Sequence, residues 1–212
     1  MPRKLHLLAI LVCFLAGADR VAAHPHMWVE VRAQVTYNQE GELVGIRQEW
    51  KFDEVYSTYA LQDVQSKQKG VFTRQELEPL AKLNMDDLKD SDFFTHARVD
   101  GNNATFSNPV DYWFEYEDKV LTLHFTLPLK QAVQSKKLEL EVYDPMYFIG
   151  FTLAEKGPVI LSGAPPSCTA SVAAESDKAT EVTPLAGDAF FRQFDSKGFG
   201  FQFARTISVQ CR

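Results

Sequence analysis

The sequence predicts an α+β chain that is mainly β, an antiparallel β-sandwich or open barrel with an inserted helix-turn-helix. Three observations predict it. Apolar and polar residues alternate over short runs in both halves of the chain, turn residues separate those runs at regular intervals, and residues 53–92 lose the alternation and the β-branched residues together.

Met27–Tyr37 places Met27, Val29, Val31, Ala33 and Val35 on one face and Trp28, Glu30, Arg32 and Gln34 on the other, the period of a half-buried strand. Asn38-Gln39-Glu40-Gly41 turns the chain and Leu43–Phe52 returns it, giving a β-hairpin. Within 53–92 the apolar positions Leu77, Leu80, Ala81 and Leu88 suit helices joined by a turn at Lys69-Gly70. Strands resume at 93–99, then 104–106, 112–117, 120–127, 137–143 and 147–153, with turns at Asp100-Gly101 and Asp144-Pro145. Residues 157–187, rich in Pro, Ser, Ala and Thr, predict a long excursion, and 199–209 a closing strand. No segment repeats another.

The first residues read as an address rather than as structure. Arg3 and Lys4 precede an apolar run at 5–15, and small residues lead to Val21-Ala22-Ala23, the order of a secretory signal peptide over 1–23. The run is shorter than the roughly 20 apolar residues a membrane span needs. Cleavage after Ala23 predicts an exported, periplasmic protein of one β-rich domain, 24–212, with its helical insertion at about 53–92. Losing three cations and one anion with the leader takes the formal charge from −6 to −8, which argues against nucleic acid as a partner. Cys13 leaves with the leader, and Cys168 and Cys211 remain. In an oxidising compartment two such cysteines are expected to pair, closing a long loop worth about 4 kcal/mol on the chain-entropy account, with a two-cysteine metal site as the weaker alternative.

The candidate chemistry begins at the new terminus. His24 would carry a free α-amine beside its own imidazole, and His26, two residues on in an extended segment, points to the same side together with Trp28 and Glu30. Imidazole nitrogens suit zinc, copper and nickel. The square-planar amino-terminal mode that uses a deprotonated second amide is blocked, because Pro25 has no amide proton. An amine-plus-imidazole brace is not blocked. The bland alternative is a polar start to an edge strand. His124 shares the polar face of its strand with Thr122 and Thr126 and is either a surface histidine or a third ligand; Asp53 and Asp144, at element ends, either ligate or cap. Glycine at the sixth and glutamate at the twelfth position of a calcium loop fall on Gly70 and Glu76, but the first, third and fifth fall on Gln65, Lys67 and Lys69, so no calcium is expected there. No hydrolase, phosphate-loop or His-Glu-x-x-His pattern is present, and no enzymatic activity is expected.

His-Pro-His-x-Trp over 24–28, Gln-Glu-Trp-x-Phe-Asp over 48–53, the helical insertion and Tyr-Asp-Pro-x-Tyr-Phe over 143–148 together resemble the ZevA-like family of periplasmic proteins, long labelled an uncharacterised transport-system component. The resemblance runs to about Phe151. It implies divalent metal uptake with zinc as cargo, alongside an inner-membrane permease similar to nickel and cobalt transporters; the histidines' own ligand chemistry keeps nickel, cobalt and copper as alternatives. The expected metal residues are His24 and His26, completed from Glu30, Asp53, His124 and Asp144. Two competing expectations are a metal-free scaffold that presents aromatics around Tyr112, Trp113 and Phe114 to a membrane transporter, and a copper-binding histidine-brace protein.

Overall fold

A computed structural model describes residues 25–174 and 198–212 of the 212-residue chain. Strand β1, Met27–Tyr37, and strand β2, Leu43–Phe52, pair antiparallel with Val29 opposite Phe52 and Val35 opposite Ile46. Every second residue of β1 from Val29 to Tyr37 is buried, as the alternation requires. Asn38 closes the turn by accepting the Glu42 amide on its side chain at 2.8 Å, and Gly41 takes a positive φ of 75°.

The insertion's helices follow the hairpin. Helix α1, Glu54–Ala60, starts at Asp53, whose carboxylate accepts the Tyr56 amide. Helix α2, Arg74–Leu88, starts in a capping box between Thr73 and Glu76 and buries Leu77, Ala81 and Met85, one stripe at successive turns. A 3-10 turn over Lys89–Phe94 leads into β3, Thr95–Val99. Strand β4, Asn102–Asn103, is followed by β5, Val110–Glu117, β6, Val120–Val133, and β7, Lys137–Val142. The remaining strands are β8, Ile149–Leu153, β9, Val159–Ser162, β10, Cys168–Val172, and β11, Ile207–Cys211.

The strands form two sheets, and the fold is the expected mainly-β sandwich rather than a closed barrel. The first runs β5-β6-β2-β1-β8, with β9 also on β1, and the second β10-β11-β7-β3-β4. Most pairings are antiparallel. β8 and β9 instead lie parallel to β1, along Met27–Val31 and Ala33–Thr36 of the same edge. Side chains from both sheets fill the space between them. At one end Trp50, Phe125 and Phe151 meet Phe93, Val142 and the buried stripe of α2; at the other Ala33, Val35 and Ile46 meet Ala97, Leu140, Ile207 and Val209. Gln48 is buried in this core, and its amide donates to Thr95 Oγ1 at 3.2 Å while Trp50 Nε1 donates to its carbonyl at 3.4 Å, so the polar group is satisfied across the two sheets.

Several expected boundaries move. Phe93 and Phe94, expected to open a strand, take positive φ values of 53° and 46° in the turn before β3. Residues 104–106 make one bridge, Phe106 to Leu129, because the return strand ends at Asn103. Tyr147, with φ 56°, sits in a turn, so the expected strand begins at Ile149. The excursion expected at 157–187 contains β9 and β10; its part from 175 lies outside the described residues. The first half of the closing strand is a 3-10 turn, Phe199–Phe203. Cys168 and Cys211 form the expected disulfide and are direct cross-strand partners, which staples β10 to β11. No helix among the described residues is long and apolar enough to cross a membrane.

Candidate functional site

Three sequence motifs far apart in the chain meet where β1 begins. The His26 amide donates to the Phe148 carbonyl at 2.8 Å, and the two rings lie 4.5 Å apart at 36°. One step along β1, the Trp28 amide donates to Asp53 Oδ2 at 2.8 Å and the Asp53 amide returns to the Trp28 carbonyl at 3.1 Å. Asp53 thus caps α1 with one oxygen and anchors β1 with the other. The Trp28 ring lies over Gly150, where a Cβ would come 2.6 Å from Trp28 Cε3 and 2.8 Å from Pro25 Cγ. Only glycine permits that approach.

Asp144 ties the third motif into a turn. Its Oδ1 accepts the Met146 amide at 2.9 Å, and its Oδ2 accepts the Phe148 and Ile149 amides at 2.8 and 3.0 Å. The side chain is buried, so these bonds replace its hydration. Gly200 packs directly on the Asp144 carbonyl, leaving no room for a Cβ, and its amide donates to the Pro145 carbonyl at 3.1 Å. The turn divides the aromatic residues. Tyr143 stacks on His96 at 4.1 Å, Tyr147 on Phe203 at 4.1 Å, and Phe148 turns back to His26. Burial, reinforced by the Glu141 carboxylate, pushes the Tyr143 hydroxyl up to about 12. A cavity of about 290 Å³ opens behind Trp28, walled by Val142, Tyr147, Phe151 and Phe203.

The candidate metal residues are distributed as follows. His26 is exposed at the corner, and His24 lies outside the described residues, as does the leader. Glu30 is exposed on β1, four residues from His26, a span of about 13 Å along a strand. Asp53 and Asp144 direct both carboxylate oxygens at backbone amides, although their elements bring them to the same corner. His124 lies elsewhere, on the outer face of the first sheet, with Nε2 3.2 Å from Glu115 Oε2 and its ring stacked on Trp113 at 4.7 Å and 14°. Among the described residues no three His, Cys, Asp or Glu side chains are grouped to hold a metal ion. The sequence reading missed Phe148 as the seat of His26 and Trp28 as the ring over Gly150. Both lay inside motifs it had singled out, but it placed residues 147–148 in a strand, where they would point to opposite faces. Of the aromatics expected to be presented outward, Phe114 is buried in the core and Trp113 is covered by neighbouring side chains.

In the calcium-like loop the twelfth-position carboxylate points inward. Glu76 accepts the Lys67 amide at 2.9 Å on one oxygen, and the Thr73 amide and hydroxyl, each at 2.8 Å, on the other. Those bonds, that from the Thr73 amide first, hold its carboxyl down to about 2.

Fold and corner together define a class: a mixed-sheet β-sandwich with a helical insertion, whose first strand is locked at its beginning by carboxylate-bonded turns. The chain belongs to the family described as protein of unknown function (DUF1007), whose model matches residues 9–211. It is similar to an uncharacterized protein of Haemophilus influenzae, 24% identical over 196 residues that cover 90% of this chain and 92% of the relative. It is also similar to an uncharacterized 15.5 kDa protein of Spirochaeta aurantia from the trpE 3′ region, 30% identical over 93 residues, which cover 43% of this chain and 66% of that relative.

Proposed function

We propose that this is an exported, periplasmic metal-binding accessory protein of the ZevA-like kind, without enzymatic activity. Removal of residues 1–23 would give His24 a free amine, and the amine and imidazole of His24 with the imidazole of His26 would take up a divalent ion. Zinc is the first candidate, with nickel, cobalt and copper as alternatives. The cargo would pass to an inner-membrane permease similar to nickel and cobalt transporters.

The observation that supports this reading most is the convergence of the three motifs on the start of β1. His26 is held by its backbone and its ring against Phe148, and the residue is exposed. Asp53 and Asp144 serve this reading as positioning residues, because their oxygens hold Trp28 and Phe148 in place. A fixed starting point for the residues before β1 matters if those residues do chemistry. A metal-free scaffold is the second reading. Its support is the apolar rim of the same corner, where Trp28, Met146 and Phe148 are 49%, 77% and 47% exposed.

Intact mass and calorimetry on protein exported to the periplasm test both readings. The expected mass begins at His24, and about one zinc binds with sub-micromolar affinity. The double substitution His24→Ala, His26→Ala should weaken binding at least about tenfold without changing the circular dichroism, since His26 is exposed. Equal affinity in the double variant overturns the metal assignment. Exported protein that is metal-free and ignores added zinc selects the scaffold.

A further inference from the structure

A second cluster lies on the outer face of the first sheet, built on Trp113 of β5. His124, its cross-strand neighbour on β6, stacks on the indole and pairs with Glu115. Two arginines approach the same ring, Arg47 with its guanidinium carbon 4.9 Å from the ring centroid and Arg74 at 4.3 Å. They come from different parts of the fold. Arg47 is on β2 in the middle of the sheet, and Arg74 is the first residue of α2.

Neither guanidinium makes an ion pair or a hydrogen bond to a described residue. Arg32 on the same face shows what a satisfied arginine looks like here: it bonds Glu49 at 2.6 Å and the Gly157 carbonyl at 3.2 Å. Two acids on this face are already engaged, Glu49 with Arg32 and Glu115 with His124. A cation–π contact on an indole steadies a guanidinium without satisfying its fork of N–H donors, which stay available to bind. Two like charges on one ring repel, and Arg74 adds its charge to the positive end of the α2 dipole. A group that accepts from both forks offsets both penalties together. Carboxylates and phosphates are the acceptors whose geometry matches.

We propose that Arg47 and Arg74, steadied on Trp113, form a binding site for the oxyanion of a small ligand, a carboxylate or a phosphate, which ties the helical insertion to the sheet. The site is independent of the metal reading.

The test follows the Trp113 indole and the Arg47 and Arg74 side-chain N–H signals by nuclear magnetic resonance on the full mature chain. One arm adds inorganic phosphate and the other succinate, each at ionic strength matched with sodium chloride. The expected result is a saturable shift of these signals in at least one arm, and the tighter arm identifies the oxyanion. Arg47→Gln and Arg74→Gln should each weaken binding at least about tenfold, while Arg47→Lys, which keeps the charge and loses the fork, should recover only part of it. Because Arg74 is exposed and Arg47 half-buried, unchanged dispersion of the backbone amides verifies that the variants fold. Shifts that stay linear and match those in chloride overturn the proposal. Saturation that persists unchanged in the double Gln variant overturns it as well.

Discussion

Two turns in this molecule are built by the same device in opposite surroundings. At the corner, the Asp144 carboxylate gathers the amides of Met146, Phe148 and Ile149. In the insertion, the Glu76 carboxylate gathers those of Lys67 and Thr73. Asp144 is buried, with Gly200 packed on its carbonyl, whereas Glu76 ties an exposed loop. Water can replace a lost acceptor in the exposed loop and cannot easily do so in the packed corner. The same bonds therefore have unequal consequences: one turn fixes the architecture around His26, and the other sets a local shape that solvent can soften.

The largest break in that comparison is Asp144→Ala. Three amides lose their acceptor at once, and the expected cost is about 3 kcal/mol of folding stability. The damage should be structural at the site too, because Phe148 holds the His26 amide and ring. Urea denaturation gives the stability change. Asp144→Asn, which keeps one carbonyl acceptor, should fall between parent and Ala; a cost no larger than that of an ordinary surface substitution would mean the amides find water and the corner is not sealed.

How far the sequence revealed each turn follows the same division. The hairpin was legible to the residue because alternation with period two needs only neighbours in sequence. Likewise, the helical stripe of Leu77 and Ala81 and the Cys168–Cys211 pair showed in spacing and count. The Asp144 turn was hidden. Tyr147 and Phe148 look like strand residues, and only the bonds to Asp144 and the close packing of Gly200 hold Tyr147 at positive φ. The parallel placement of β8 and β9 on β1 was equally illegible, since no local pattern specifies which edge a strand joins. As for the candidate site, the sequence named its residues through motifs but not their roles. That Asp53 binds the Trp28 amide depends on a contact between residues 25 apart, whereas Asp144 bonds amides two to five residues on, a local turn concealed by the strand-like run that follows it.

A smaller perturbation sharpens the corner's side of the comparison. Gly150→Ala inserts a methyl 2.6 Å from Trp28 Cε3 and 2.8 Å from Pro25 Cγ. Trp28 is half exposed and can swing outward, so the expected cost is about 1 kcal/mol, at the lower end for overpacking. The informative readout is spectroscopic. Trp28 should become more solvated and its fluorescence should shift to the red, while Trp50, buried in the core, stays unchanged. Loss of zinc binding in this variant with stability retained would tie the orientation of β1's first residues to the metal site. Unchanged fluorescence would mean that the backbone of β8 yields instead.

The smallest effect belongs to Glu76, and its sign follows from its titration. Its folded carboxyl titrates near 2, below the ordinary 4.5, because the ionised form accepts the Thr73 and Lys67 amides. The stabilisation is therefore complete above the unfolded value and is lost as the pH falls from about 4.5 through about 2. Because the group is exposed, what should respond is the loop rather than the fold. The protection of the Lys67 and Thr73 amides, measured against their intrinsic exchange rates, should fall across that window in the parent protein, and in Glu76→Gln it should already be low at neutral pH with no step. Glu76→Gln should leave the denaturation midpoint nearly unchanged, in contrast to Asp144→Ala. If it instead lowered the midpoint as far as Asp144→Ala does, burial would not be what separates the two turns, and the Glu76 loop would have to be counted with the core that α2 completes.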